Sequence, residues 1–162
     1  MVSATEPKFK TQEIDAEVGV GYGLQIADMN GDGRSDIILC DKDKIVWYQN
    51  PSWKKYQISG KLTQRDHVCV AARDINGDGK AEIAVGGQWN IGESNDGAKS
   101  GSIFYLNPTA DRNGNWAPIR LEHEPSTHRM HWIAAGKGKY DLVVTPLYGP
   151  KDADGKHGAT KV

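Results

Sequence analysis

Two short acidic segments have the residue types and the spacing of a binding loop for a hard cation. Each follows the pattern Asp-x-Asn-x-Asp-Gly-x-x-Asp/Glu, with oxygen-bearing side chains at positions 1, 3, 5 and 9. Ca²⁺ prefers about six to eight oxygen ligands at flexible distances. The sequence therefore predicts two calcium sites, each with the carbonyl of position 7 as a further ligand. The predicted ligands are Asp28, Asn30, Asp32, Arg34 and Asp36 in the first segment, and Asp74, Asn76, Asp78, Lys80 and Glu82 in the second.

These segments differ from EF-hand loops, because position 12 holds Leu39 and Val85 instead of a bidentate glutamate. The alternative is a pair of plain Asx-rich turns, but the repetition of one ligand set favours calcium. A loop between two strands needs no open coordination position, so the metal is expected to be structural. Farther along the chain Gly136–Gly138 replaces the acidic core, and no metal site is expected there.

The acidic pattern is one part of an internal repeat, which is the first feature to look for in a sequence. Three segments recur in the same order while the offset between the copies grows, so the extra residues of the second copy fall in loops. The pairs are Asp28–Ile37 with Asp74–Ile83, Val46–Pro51 with Ile103–Pro108, and Trp53–Ile58 with Trp116–Leu121.

Each repeat predicts four short strands, because apolar runs alternate with turns of Gly, Asn, Asp and Pro. Four-stranded antiparallel units of this size are blades of a β-propeller, a fold that closes with about four to eight blades. The predicted fold class is all-β, with about three blades that form an incomplete ring. The predicted divisions are 1–20 as the outer strand of a preceding blade (Phe9–Ile14), 21–60 and 61–122 as blades, and 123–162 as a partial blade beginning with His131–Ile133 and Tyr140–Val144. Further blades are expected from a longer chain or from self-assembly.

The amino-acid composition argues against nucleic acid and membranes as binding partners. The chain has 20 Lys and Arg against 21 Asp and Glu, which leaves no basic surface for nucleic acid or anionic lipid. No apolar run is long enough to cross a membrane, and the first residues lack the apolar core of a signal peptide. Cys40 and Cys69 lie in or beside apolar runs, which favours two buried thiols, with a disulfide as the alternative.

Antiparallel connectivity sorts the loops onto two faces. The acidic loops belong to one face. The insertion Gln88–Gly97 and its counterpart Leu147–Asp152 belong to the other, together with His67 and His128, which enter the inner strands. Histidine and aromatic side chains on the loops at one end of a propeller are typical of a ligand-binding surface. We call this second face, which carries the insertion Gln88–Gly97, the insertion face.

On this second face, the candidate catalytic residues are His67, His128 and Arg129, and the candidate ligand-binding residues are Trp89 and Tyr148. His128 and His131 are three residues apart and face opposite ways in a strand, so a histidine site for a second divalent metal needs His67 with His128. The alternatives are a hydrogen-bonded surface histidine at His67 and an ion pair for Arg129. The recurring Trp47, Trp53 and Trp116 are expected to pack between blades.

The repeated acidic pattern, followed by Ile and set at blade spacing, resembles the FG-GAP/VCBS repeat of integrin-type and bacterial exported propellers. That resemblance implies a calcium-stiffened propeller and a secreted or periplasmic protein. The second half is similar to the propeller part of aldos-2-ulose dehydratases, which eliminate water from keto-sugars and use metal sites. The similar segments are Asn107-Pro108, Asn115-Trp116, Pro125 with His128-Arg129, and Leu142–Pro146.

Three functions are compatible with these residues. The first is a calcium-stabilised module of an exported protein that presents loops to a carbohydrate or a protein. The second is part of a metal-assisted sugar lyase or dehydratase that acts on keto-sugars, with His67 and His128 near the reacting carbonyl. The third is a purely structural repeat with no ligand beyond calcium.

Overall fold

The computed structural model describes residues 6–149 and consists almost entirely of short β-strands. The one helical element there is a 3₁₀ turn at Ile91–Glu93, inside the insertion. Among the described residues no helix is long and apolar enough to cross a membrane. The strands are β1 (Gly23–Ala27), β2 (Asp36–Cys40), β3 (Ile45–Gln49), β4 (Lys54–Ser59), β5 (His67–Arg73), β6 (Glu82–Gly87), β7 (Ser102–Asn107), β8 (Ala117–Leu121), β9 (Thr127–Gly136) and β10 (Lys139–Pro146).

These strands form two four-stranded antiparallel sheets and one two-stranded sheet. The first sheet has the order β1-β2-β3-β4, the second β5-β6-β7-β8, and the third pairs β9 with β10. The first strand of each sheet is innermost, and β5 packs between β1 and β9. This arrangement confirms the all-β fold of propeller blades. The sheets of the described residues do not close into a ring.

The larger core lies between the first and second sheets. Ile38 and Trp47 of the first sheet pack with Ile83 and Leu106 of the second, and all four are at most 1% exposed. The Trp47 ring also stacks on Tyr56, with ring centroids 4.7 Å apart. Burial of this much apolar surface is the main force that holds the two sheets together.

Of the tryptophans that recur in the repeat, Trp47 and Trp116 lie in the core between the first two sheets, and Trp53 does not. Trp116 is 2% exposed within the same core, and its backbone N–H donates to the carbonyl of Ile58 at 2.7 Å. Trp53 instead packs against Leu39 and Tyr48 on the outer side of the first sheet. These positions leave the half-buried Trp89 of the insertion as a better candidate for ligand contact.

A smaller core joins the second sheet to the third, and it depends on one glycine. A Cβ at Gly86 would lie 2.6 Å from Cys69 Sγ and 2.8 Å from Met130 Cε, so a side chain there would require the neighbouring side chains to shift. Cys40 and Cys69 are both buried and both free. Burial raises the pKa of Cys69 to about 12, so its thiol stays protonated and inert near neutral pH.

Phe9–Ile14, predicted as the outer strand of a preceding blade, forms no strand with the described residues, and its assignment to such a blade stays a prediction. A strand needs a neighbour with a free edge, and no described residues supply the remaining strands of a preceding blade. The segment lies instead against the first sheet, where Ile14 packs beside Tyr48. Asp15 then accepts hydrogen bonds from Tyr48 Oη at 2.5 Å and Lys55 Nζ at 2.6 Å.

Within residues 6–149, the third unit contains two strands, β9 and β10. Its strands β9 and β10 include the predicted segments and extend beyond both of them. They are joined by Gly136, Lys137 and Gly138, whose φ angles of 87°, 52° and 71° make a tight left-handed turn in place of an acidic loop. Residues 150–162 lie outside the described residues, including the predicted end of the Leu147–Asp152 loop and of the 123–162 division.

Candidate functional site

Acidic loop 1, residues 28–36, connects β1 to β2 and is organised by its own side chains. The Asp28 carboxylate accepts a hydrogen bond from the backbone N–H of Gly33 at 2.7 Å. The side-chain oxygen of Asn30 accepts from the N–H of Asp32 at 3.1 Å. Gly33 has a φ of 81°, a left-handed conformation that glycine adopts without strain. The loop thus holds three of its four predicted side-chain ligands within one tight turn.

Asp36 is the buried carboxylate of acidic loop 1 and is 0% exposed. Its two oxygens accept hydrogen bonds from the backbone N–H groups of Met29 and Asn50, both at 2.9 Å. Burial raises the pKa of Asp36, and these two donors only partly offset that effect. The negative charges of Asp32 and Asp28 raise the pKa further. A bound cation would relieve both the burial and the repulsion.

Acidic loop 2, residues 74–82, connects β5 to β6 and repeats this backbone arrangement. The Asp74 carboxylate accepts from the N–H of Gly79 at 2.9 Å, and Asn76 accepts from the N–H of Asp78 at 2.8 Å. Burial raises the pKa of Asp74, but the backbone N–H groups around it together lower it below its usual value. The loop therefore favours an ionised carboxylate at position 1, as a cation ligand requires.

Glu82 occupies the buried position of acidic loop 2 and is 2% exposed. One oxygen accepts from the backbone N–H of Ile75 at 3.0 Å, and the other lies 3.3 Å from the side-chain amide of Asn76. Burial raises the pKa of Glu82, and the charges of Asp78 and Asp74 add to that effect. The positive charge of Arg112 lowers the pKa of Glu82, and this charge also reaches Asp28 of acidic loop 1.

The two acidic loops contact each other on the same face of the molecule. The backbone N–H of Ala81 donates to the carbonyl of Asp28 at 2.8 Å. Lys80 lies along Gly31, where an added Cβ would be 3.0 Å from Lys80 Cε. Arg34 and Lys80, predicted to contribute carbonyl oxygens, donate their own N–H groups to the Asp of position 5 in each loop, both at 2.9 Å.

The donor set of each loop fits Ca²⁺ in its chemistry, since carboxylate and amide oxygens are what this ion prefers. Between residues 6 and 149, no three His, Cys, Asp or Glu side chains converge into a ready metal centre. Each shell would therefore need the oxygen of Asn30 or Asn76 and backbone carbonyls in addition to the carboxylates.

On the opposite face, His67 is held inside the fold and not on the surface. Its ring is 0% exposed, Nδ1 lies 3.1 Å from the carbonyl oxygen of Asp41, and Nε2 accepts from the N–H of Leu62 at 3.0 Å. Burial lowers the pKa of His67, which favours the neutral ring that this pair of contacts requires. Both ring nitrogens are engaged, so this conformation offers neither to a metal nor to a substrate.

His128 and Trp89 lie side by side, with ring centroids 6.2 Å apart and the ring planes tilted by 58°. Trp89 lines a cleft of about 370 Å³ together with Tyr22 and Arg65. Burial lowers the pKa of His128, and the neighbouring charge of Arg129 lowers it further. The structure therefore places His128 behind the aromatic wall of a cleft.

Arg129 contacts His128 of this pair, and Tyr148 lies elsewhere. The Arg129 guanidinium donates to the carbonyl of His128 at 2.9 Å and lines a cleft of about 260 Å³ between the inner strands, which shares Tyr22 and Val68 with the Trp89 cleft. Tyr148 is half-buried, and of the described residues it is not among those that line the Trp89 cleft. Of the two candidate ligand-binding residues, Trp89 therefore lines this cleft and Tyr148 does not.

Two protein-family models match the region that contains the internal sequence repeat. The family model described as FG-GAP-like repeat matches residues 19–85, and the model described as FG-GAP repeat matches residues 70–105. Both acidic loops lie within these ranges. The matched residues run from the approach to β1 into β7, and the matches are consistent with propeller blades. No curated protein matches the chain. Calcium binding and the resemblance to aldos-2-ulose dehydratases stay predictions.

Asp41, which the sequence did not single out, fastens the start of the FG-GAP region. Its buried carboxylate accepts hydrogen bonds from the backbone N–H groups of Gly19, Val20, Gly21 and Lys42 at 2.7–3.1 Å. Burial raises the pKa of Asp41, but these four donors together hold it well below its usual range. Its position directly after β2 was the only sequence signal.

Arg112 is the second residue that sequence reasoning missed. Although it is only 5% exposed, its guanidinium donates to the carbonyl of Ala81 and lies over the Trp116 ring, 4.7 Å from the centroid. The residues that the second FG-GAP repeat adds before β8 were the available signal, because they carry this arginine to acidic loop 2. Its charge also reaches Glu82 and Asp78.

Proposed function

We propose that the chain is a calcium-stabilised FG-GAP propeller module of an exported protein, secreted or periplasmic, whose insertion face binds carbohydrate or protein. The observation that carries the calcium part is the burial of Asp36 and Glu82, which are 0% and 2% exposed. Both lie in loops where two further aspartates raise their pKa. A buried carboxylate among like charges is costly unless a cation compensates for it.

The loops have the form of structural sites and not of catalytic ones. Their side chains are tied to their own backbone and to each other, for example through Ala81 N–H and Asp28 O at 2.8 Å. Calcium would hold the turns that start β2 and β6, and with them the core between the first two sheets. Loops of this kind suit the millimolar calcium found outside cells, which supports export.

The ligand-binding part rests on the clefts of the insertion face. The clefts there gather aromatic, amide and charged side chains from several loops, which is typical of a binding surface on a rigid scaffold. Further blades, from a longer chain or from additional copies, would extend this face. The dehydratase alternative has less support, because both ring nitrogens of His67 are bound within the fold.

Thermal unfolding in calcium and in EDTA tests the metal part. Saturating calcium should raise the melting temperature by about 5–10 °C, the shift expected from about 2–3 kcal/mol of binding free energy in a domain of this size. Asp32→Ala and Asp78→Ala should each remove part of that rise. Asp43→Ala, an exposed aspartate outside both loops, is the matched control.

An unchanged melting temperature in calcium would contradict the metal part and leave the loops as plain turns. Light scattering on the same samples measures the mass in solution. A mass of two or more chains would support completion of the propeller by self-assembly, whereas a monomer would support completion by a longer chain.

A further inference from the structure

A wide cleft on the insertion face carries an excess of positive charge. It has a volume of about 600 Å³ and is bordered by the β4–β5 loop, the insertion and β8. Arg65, Lys99 and Arg120 line it, against one acidic residue, Glu93. This charge stands out on a chain whose overall charge is near zero.

The three cations differ in whether they already have partners. Lys99 Nζ lies 3.7 Å from a Glu93 oxygen and 3.3 Å from an Asp96 oxygen, so its charge is compensated locally. Arg65 and Arg120 form no ion pair with another described residue. The Arg120 guanidinium lies over the Phe104 ring, 5.9 Å from its centroid, which steadies it without neutralising it. Two uncompensated guanidinium groups therefore border one cleft.

The wall of this cleft is pre-organised by Gln88, which has a left-handed φ of 61°. Its side-chain oxygen accepts from the N–H of Gln64 at 3.1 Å, and its amide nitrogen donates to the carbonyl of Ala98 at 3.4 Å. Its own carbonyl accepts from the N–H of Gly101 at 2.8 Å. A non-glycine residue in this conformation needs such support, and strained residues of this kind cluster at ligand clamps.

This cationic cleft continues into the aromatic cleft beside it. Gln64, Arg65 and Asn90 line both, so the two form one groove with a charged end and an aromatic end. At the aromatic end, Tyr22 is 56% exposed and Trp89 is half-buried against His128. Aromatic faces favour the apolar faces of sugar rings, and amide side chains can donate to and accept from hydroxyl groups.

We propose that this groove binds an acidic oligosaccharide, with carboxylate groups on Arg65 and Arg120 and a sugar ring against Trp89 and Tyr22. The assignment rests on the carbohydrate-binding role proposed above for the insertion face and specifies its ligand class. An acidic peptide would satisfy the arginines as well. It would leave the aromatic end and the amides Gln64 and Asn90 without the ring faces and hydroxyl groups that match them.

Calorimetric titration with a galacturonic acid tetramer, performed at a constant calcium concentration, tests binding in this groove. Its methyl-esterified form is the matched control ligand, because it removes the charge and keeps the sugar backbone. The acid form should bind at least about 30-fold more tightly than the ester, since two charge-assisted contacts are lost. An acidic hexapeptide of glutamate is titrated alongside.

Variants then locate the site. Arg65→Gln with Arg120→Gln should weaken binding of the acid tetramer by at least about 30-fold, and Tyr22→Ala by about fivefold. These side chains are exposed, so the fold should be retained, which the melting temperature checks. Lys139→Gln, an exposed cation on β10 outside the groove, should leave binding unchanged.

The other possible results distinguish a failure of the acidic-oligosaccharide assignment from a failure of the proposed calcium-stabilised binding module. Equal binding of the acid and ester forms would overturn the acidic assignment and leave carbohydrate binding in place. Binding of the peptide alone would overturn the assignment and make the groove a protein-binding site. No binding of any of the three, together with a calcium-dependent rise in melting temperature, would overturn the assignment and leave only the metal part standing.

Discussion

Acidic loop 1 and acidic loop 2 share one sequence pattern and one place in successive sheets, yet their buried carboxylates are held differently. Asp36 receives two backbone N–H groups, from Met29 and from Asn50 of the β3–β4 turn. Glu82 receives one backbone N–H, from Ile75, and one side-chain amide. The buried Arg112 lowers the pKa of Glu82 and also interacts, less strongly, with Asp28 of acidic loop 1.

This difference shows that repetition of a motif fixes the turn but not its electrostatics. In acidic loop 1 the buried charge is tied to two backbone segments, and burial and neighbouring acids leave it in need of a cation. In acidic loop 2 an arginine from the β7–β8 loop supplies part of that compensation. We therefore expect acidic loop 1 to be the tighter calcium site and the more important one for the fold.

The largest expected effect comes from truncating the two buried carboxylates. Asp36→Ala should lower the free energy of unfolding by about 3 kcal/mol, because two buried N–H groups lose their acceptor. Glu82→Ala should cost about half as much, since one backbone N–H is affected. Urea unfolding in EDTA measures both without the metal contribution. Equal losses in the two variants would contradict the comparison.

A buried carboxylate on the opposite face sharpens the comparison. Asp41 accepts four backbone N–H groups, so Asp41→Asn, which loses one acceptor oxygen, should cost about 2 kcal/mol. The loss should be the same in calcium and in EDTA, as judged by urea unfolding, because this carboxylate lies outside both acidic loops. A loss that depends on calcium would show that the two faces are coupled.

The pH dependence of the unfolding free energy, measured for the wild type and Asp41→Asn, independently tests the role of the Asp41 carboxylate. The pKa of Asp41 is lower in the folded chain than its ordinary value of 3.8. Its contribution to stability is therefore fully present above about pH 4 and is lost as the pH falls through the folded pKa. The difference in unfolding free energy between the wild type and Asp41→Asn should shrink on acidification below about pH 4.

The smallest expected effect concerns calcium affinity. In a chain whose acidic loop 1 is disabled by Asp32→Ala, Arg112→Gln should tighten calcium binding at acidic loop 2 by about five- to tenfold. The removed guanidinium would otherwise repel the ion, and about 1 kcal/mol is the scale of such an interaction near a protein surface. Calcium titration by calorimetry measures the change, with Lys139→Gln as the control. Weaker binding would show that Arg112 supports the loop more than it opposes the metal.

The sequence was informative wherever the relevant residues are close together along the chain. Oxygen-bearing side chains at alternate positions between two β-rich runs identified both acidic loops, because the whole motif spans about ten residues. The strand pattern and the turn residues likewise identified the two four-stranded sheets. The strand predicted at Phe9–Ile14 stays a prediction, because a strand is defined by its partner, and its own residues do not reveal whether a partner is present.

The contacts of individual side chains on the insertion face could not be predicted from local sequence patterns. His67 matched a candidate catalytic residue by type and position, yet its ring contacts the carbonyl of Asp41, 26 residues away. Trp89 was identified because it belongs to an insertion and not to the repeat. Its neighbour His128 comes from another sheet, so their contact depends on how β9 packs against the second sheet.

By itself, then, the sequence determined the strands, the turns and the donor types of the two acidic loops, since local spacing and alternation specify them. Only the tertiary structure decided which charges these loops have as neighbours and which loops form the groove. Arg112 reaches the carbonyl of Ala81 across 31 residues, and Gln64 meets Gln88 across 24. Such contacts are set by the packing of whole sheets, in which burial of apolar surface fixes the distances and the polar groups then find their partners.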